Sequence, residues 1–181
     1  MALTTWRFPL ALIVVAALSG CAASVNRPSS AGAAARIALP AATQQLLVVV
    51  VPAQQMSAGS NWSAFLEEWQ TSLTAASTTH PLQTALLERE PLVVAERAVL
   101  ARVTVNDYRY VSQAKRYGLG VMTGNAYMDL DVEYLAPPGK RLLGSRKFST
   151  SSSAWHGVFS AMTPKQVEAV VNEIVKEVAE K

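Results

Sequence analysis

The sequence predicts an α/β protein of the α+β kind, and three patterns carry that expectation. Across residues 126–134 apolar and polar side chains alternate strictly, the period of a strand with one dry face. Trp62, Phe65, Leu66, Trp69 and Leu73 recur at helical spacing, as do Val167, Val170, Val171, Ile174, Val175 and Val178. Helices with one apolar stripe each must bury it, and a sheet is the surface available.

In chain order, residues 1–7 hold one basic side chain, Arg7, and residues 8–18 are an apolar run disturbed only by Pro9. A short positive segment followed by about 7 to 15 apolar residues is the layout of a secretory signal peptide, and it falls short of the roughly 20 residues that span a bilayer. The run closes on Leu18-Ser19-Gly20-Cys21, which contains the only cysteine of the chain. Small residues before the thiol admit a peptidase, and the thiol is a soft nucleophile on which a diacylglycerol thioether can be built. The rival reading is an ordinary signal cut near residues 22–24, with Cys21 incidental. The four residues resemble the bacterial lipoprotein signal, Leu-x-Gly-Cys, at every defined position. That resemblance implies cleavage after Gly20, a lipid on Cys21 and anchoring through more than one acyl chain. In a Gram-negative cell, Ala22 rather than an aspartate after the cysteine implies the outer membrane, periplasmic face.

The chain then divides into a signal peptide (1–20), a lipidated cysteine with a flexible tether (21–43) and one periplasmic domain (44–181). Residues 22–40 are dominated by Ala and Ser with Gly32, Pro28 and Pro40, and such a segment reaches about 25 Å if flexible. A short helix over 31–38 is the alternative, although isolated helices of that length are marginal. Half of the residues are apolar, enough for an ordinary core without disulfides. The formal charge is +3 before Arg7 is lost, and no basic run exceeds two residues. Nucleic acid, which calls for clustered Lys and Arg, is therefore not an expected partner.

Residues 46–51, Leu-Leu-Val-Val-Val-Val, are β-branched without alternation and predict a central strand buried on both faces. Ser60 or Asn61 suits the N-cap of the helix that follows, and residues 78–81, Thr-Thr-His-Pro, break it. Pro81 is placed to start a shorter helix through Glu88, which Pro91 ends. Residues 92–94 form a brief strand or a lead-in to a long one over 98–110. There Val99, Ala101, Val103 and Val105 share one face, and Arg102, Thr104 and Asn106 share a wet one. Gly118, Gly120 and Gly124 read as a tight backbone path across the sheet edge. Residues 137–139, Pro-Pro-Gly, turn the chain into an antiparallel return strand over 142–150, with Arg141, Arg146 and Lys147 available to offset Asp129, Asp131 and Glu133. Thr163-Pro164-Lys165-Gln166 combines a capping box with proline at the first helical position of the last helix.

From Val99 onward, the chain shows Asp107-Tyr108 closing a strand, then Arg116-Tyr117-Gly118-x-Gly120-x-x-x-Gly124-x-Ala126. Asp131-Val132-Glu133, a Gly139-Lys140 turn and a C-terminal amphipathic helix follow. This order resembles an uncharacterised family of bacterial envelope lipoproteins, domain-of-unknown-function family 4410. It falls within the broad fold group of curli-secretion lipoproteins, penicillin-binding-protein activators and the TolB N-terminal domain. The resemblance implies a mostly antiparallel sheet with amphipathic helices packed on one face, and a binding or assembly role.

Four features of the chain bear on chemistry. His80 and His156 lie far apart in predicted loops, and with Cys21 taken by lipid a metal site lacks ligands. Asp129, Asp131 and Glu133 share a side because the strand is pleated. His156 follows Ser153 by three residues, and a hydrolase built on it would need an orienting third group. The glycines do not satisfy the phosphate-binding spacing. The expectation is thus a lipoprotein without catalysis or cofactor that binds an envelope protein or glycan, with room for an oligomer. Tyr108, Arg116, Tyr117 and Trp155 are the candidate contacts. The alternatives are an envelope hydrolase using His156 and a subunit of a membrane secretion assembly.

Overall fold

The computed structural model describes residues 25–26, 37–119, 124–151 and 162–179. Its elements are β1 (Val25–Asn26), β2 (Gln45–Pro52), α1 (Trp62–Thr79), β3 (Gln83–Leu87), β4 (Ala98–Arg109), α2 (Gln113–Leu119), β5 (Tyr127–Ala136), β6 (Arg141–Ser151) and α3 (Thr163–Ala179). The strands form one six-stranded sheet in the order β1-β6-β5-β4-β2-β3. Strand β2 is parallel to β3 and β4, and the other three pairings are antiparallel. The class is the expected mixed α/β.

Alternation decides the layers. Leu46, Val48 and Val50 of β2 join Val99, Ala101, Val103 and Val105 of β4 and Met128, Leu130, Val132 and Tyr134 of β5 in one buried cluster. The same cluster takes Phe65, Trp69, Leu73 and Ala76 of α1 and the whole valine-isoleucine stripe of α3, so both long helices cover one face. Each fully buried large apolar side chain stabilises by about 1.5–3 kcal/mol, and this face holds most of them. A smaller cluster on the other face, Val49, Val94, Ala98, Leu100 and Leu135, sits under the loop at 88–97. The face expected to be wet is therefore dry at that end.

Several expectations are corrected. Strand β2 is paired on both sides but lies second from the sheet edge, and β4 and β5 occupy the centre. The helix expected after Pro81 is strand β3, because the open edge of β2 offers backbone partners. The Gln83 amide bonds the Gln44 carbonyl at 3.0 Å, and the Thr84 hydroxyl donates to the Leu73 carbonyl at 2.8 Å. Residues 92–94 form no strand; Leu92 is 92% exposed and Val94 is buried.

Of the glycine segment, Gly120 lies outside the described residues. Its described part begins in helix α2, where Gly118 has open space around its Cβ position. Gly124 alone of the two described glycines has positive φ, +72°, and a Cβ there would lie 2.7 Å from the Arg109 guanidinium. Nor does α3 use a capping box. Thr163 Oγ1 accepts from the Val111 amide at 2.8 Å, and Gln166 Nε2 donates to the Ala126 carbonyl at 2.8 Å. Arg146 pairs opposite Val132 and so points to the helix side, where it meets Glu177 of α3 at 2.6 Å rather than the acidic strand face. Lys147 does meet Asp131, at 3.2 Å, while Glu133 is matched by Arg102 at 2.9 Å.

Within the segment read as a tether, Val25 and Asn26 pair with Thr150 and Ser149 of β6. Ile37 is buried in the main cluster, with Leu39 packed against it. Leu18, Ser19, Gly20, Cys21, Trp155 and His156 lie outside the described residues.

Candidate functional site

Because β2 and β4 run parallel, their carboxyl ends, Pro52 and Arg109, open at one end of the sheet. Crevices of α/β sheets form at such ends. Residues 53–61 leave β2 there, and α1 begins with Asn61 at an N-cap that lacks a side-chain hydrogen bond. Between loop and strand end lies a cleft of ≈ 360 Å³, lined among others by Ser57, Ser60, Asn61, Asp107, Tyr108 and Arg109. That volume is at the small end for a ligand pocket.

Aromatic packing builds one wall. The Tyr108 ring lies 4.7 Å from Phe65 and 5.7 Å, edge-on, from Trp62, and Phe65 meets Trp69 edge-on at 6.2 Å. Phe65 and Trp69 are fully buried, so Tyr108 extends the core outward into the cleft. Burial raises the Tyr108 phenol above its ordinary range, against a lowering hydrogen bond from the Gly59 backbone. Deeper along α1, the Tyr110 hydroxyl donates to Glu68 Oε1 at 3.2 Å. Burial, followed by the charge of Glu68, pushes Tyr110 up to about 12. Burial likewise raises Glu68. Across the strand end, Asp107 accepts a hydrogen bond from Tyr127 and thereby raises that phenol.

The cleft is lined by an aromatic residue and by serine and asparagine, while the Asp107 carboxylate is engaged by Tyr127 and the Arg109 guanidinium lies against Gly124. Such a lining suits a polar ligand with an apolar side, such as a sugar ring or an extended peptide segment. For acyl transfer, Ser57 or Ser60 would need an imidazole. His80 stands at the far end of α1, an 18-residue helix about 27 Å long. Among the described residues no three His, Cys, Asp or Glu side chains group as metal ligands.

Of the four candidate contacts, Tyr108 lines the cleft. Tyr117 lies on α2 and is 69% exposed, and the Arg116 backbone belongs to the same helix. Tyr108 makes its ring contacts with α1 and not with that helix. Ser60 and Asn61 are legible in the sequence as N-cap candidates but not, with Ser57, as cleft residues, because a serine- and glycine-containing turn looks alike whether or not a strand end faces it. The Tyr108-Arg109-Tyr110 run, where strand alternation gives way to large polar rings, was the one available signal.

The fold class is thus a six-stranded mixed sheet covered on one face by two helices, with its crevice at the carboxyl ends of the parallel strands. No family model matches the sequence, that of domain-of-unknown-function family 4410 included, and no curated protein matches it. Among solved structures the chain is similar to a PelC dodecamer from Paraburkholderia phytofirmans: 11% identity, TM-score 0.49, covering 86% of this chain and 96% of that one. It is also similar to a protein of Xanthomonas campestris assigned to domain-of-unknown-function family 330: 16% identity, TM-score 0.45, covering 78% and 89%. At these identities and scores no residue's role is carried across, and the fold rests on the coordinates above.

Proposed function

We propose that the chain is a non-catalytic lipoprotein of the outer membrane whose periplasmic domain holds another envelope component, protein or glycan, in the cleft beside Tyr108. The observation that carries the reading is the complete Leu18-Ser19-Gly20-Cys21 signal ending on the only cysteine in the chain. A lone thiol in a secreted protein calls for a partner or a modification, and acylation supplies the second. The mixed polar and aromatic lining of the cleft supports the binding half.

Two measurements test the two halves. In a Gram-negative host the wild-type protein fractionates with membranes, begins at Cys21 and carries acyl mass there, and Cys21→Ser carries no acyl mass and keeps residues 1–20. An unmodified thiol on the mature wild-type chain ends the anchoring reading. For the cleft, Ser60→Trp fills the space from an exposed position and lowers crosslinked capture of the envelope partner by about tenfold, the scale of a lost hot spot. Capture equal to wild type removes the cleft from consideration.

A further inference from the structure

We propose that the end of the sheet bearing α2 rests on the same bilayer that holds the Cys21 lipid, with Tyr117 and Leu119 seated among the headgroups. The proposal builds on the lipid-anchor reading and adds to it an orientation and a contact surface.

The argument starts from the register of β1. Val25 pairs with Thr150, Thr150 with Met128, and Met128 with Tyr108, so one row of residues crosses four strands from the anchor side to the end of β4. Strand β1 runs antiparallel to β6, from opposite Thr150 toward opposite Ser149. The chain therefore comes into the sheet from beyond Ser151, the end at which β4 stops, α2 follows and β5 begins. Cys21 precedes Val25 by four residues, and four residues reach at most about 14 Å. A lipid attached there keeps this end of the domain within that distance of the acyl chains.

What this end presents fits a membrane interface. Helix α2, Gln-Ala-Lys-Arg-Tyr-Gly-Leu, has no acidic residue. Tyr117 is 69% exposed and Leu119 is 65% exposed. Tyrosine and leucine beside lysine are the side chains that anchor at headgroup depth, the ring amphipathic and the ammonium able to reach phosphates. Helix α2 also stands on a fixed base. The first turn of α3 bonds Val111, two residues before α2, through Thr163, and Ala126, the residue before β5, through Gln166. The other exposed apolar pair, Leu92 and Val93, belongs to the loop before β4, where Glu90 bonds Arg102 and Val94 packs with Leu100, and so lies roughly 25 Å along the strand from Arg109.

With Cys21 acylated, a cysteine introduced elsewhere is the only free thiol, which makes the test clean. Full-length acylated L119C and L92C proteins, each spin-labelled, are reconstituted in phosphatidylethanolamine–phosphatidylglycerol vesicles, with the acyl mass on Cys21 verified first. The label at 119 is expected to show several-fold higher collision with oxygen than with an aqueous nickel complex, and the label at 92 the reverse. Aqueous access at both positions overturns the proposal and leaves the anchor reading standing. Protection of position 119 from both reagents, the mark of a protein contact, overturns it too. An absent acyl mass overturns the anchor and the proposal together.

Discussion

The two faces of the sheet are made by the same strands and behave as different materials. On the helix-covered face, alternate residues of β2, β4 and β5 are fully buried against α1 and α3, and stability there comes from apolar area and close fit. On the opposite face, Arg102 lies between Glu90 and Glu133, Lys140 reaches Glu90 at 2.7 Å, and Asn106 donates to Asp131 at 2.8 Å. Those contacts hold loops and hairpins in register while remaining partly in water. A charge thus has opposite consequences on the two sides, and Arg146 shows it: it crosses to the covered side, where its side chain and that of Glu177 retain only 11% and 13% exposure.

The sharpest way to break the comparison is in the covered face. Trp69→Ala, which empties the largest fully buried side chain, is expected to destabilise by about 3–5 kcal/mol, read from urea unfolding. A loss below 1 kcal/mol would mean that the two faces are not so different after all.

Next in size is the buried charge. Arg146→Met leaves Glu177 without its main partner and is expected to cost about 2–4 kcal/mol, most of it recovered when Glu177→Leu is added, since breaking such a pair is worse than replacing it. If the double variant is no better than the single one, the pair is not the reason for Arg146.

The open face should respond least, and through pH. Glu90, held by hydrogen bonds from Arg102 and then Lys140, has its carboxyl lowered to about 2. A depressed carboxylate contributes stability that is present above the unfolded value near 4.5 and is lost as pH falls toward 2. Glu90→Gln is therefore expected to cost on the order of 1 kcal/mol at neutral pH after solvent screening, with the difference from wild type shrinking between those pH values. A difference that is constant down to the lower pH would show that the carboxylate's charge is not what staples the loop.

How far each part was readable follows from the range of the forces involved. The period-two runs over β4 and β5 and the helical stripes of α1 and α3 were legible because they depend on nothing beyond neighbours along the chain. Tyr108 was a contact candidate for its place near the glycine segment, whereas its cleft with Ser57, Ser60 and Asn61 acquires meaning only when α1 brings their loop against β4. Residues 83–87 carry good helix formers, and they became a strand because an unpaired edge of β2 was there to complete.

By itself, then, the sequence determined the strands that alternate and the helices that must be covered, since side-chain polarity and its period along the chain suffice for these. Only the tertiary structure decided that β2 sits beside an edge, that Thr163 and Gln166 bond across to Val111 and Ala126 instead of capping their own helix, and that Arg146 faces Glu177. Those outcomes depend on which backbone groups and charges meet across long sequence separations, where a buried polar atom takes whichever partner the packing brings within reach.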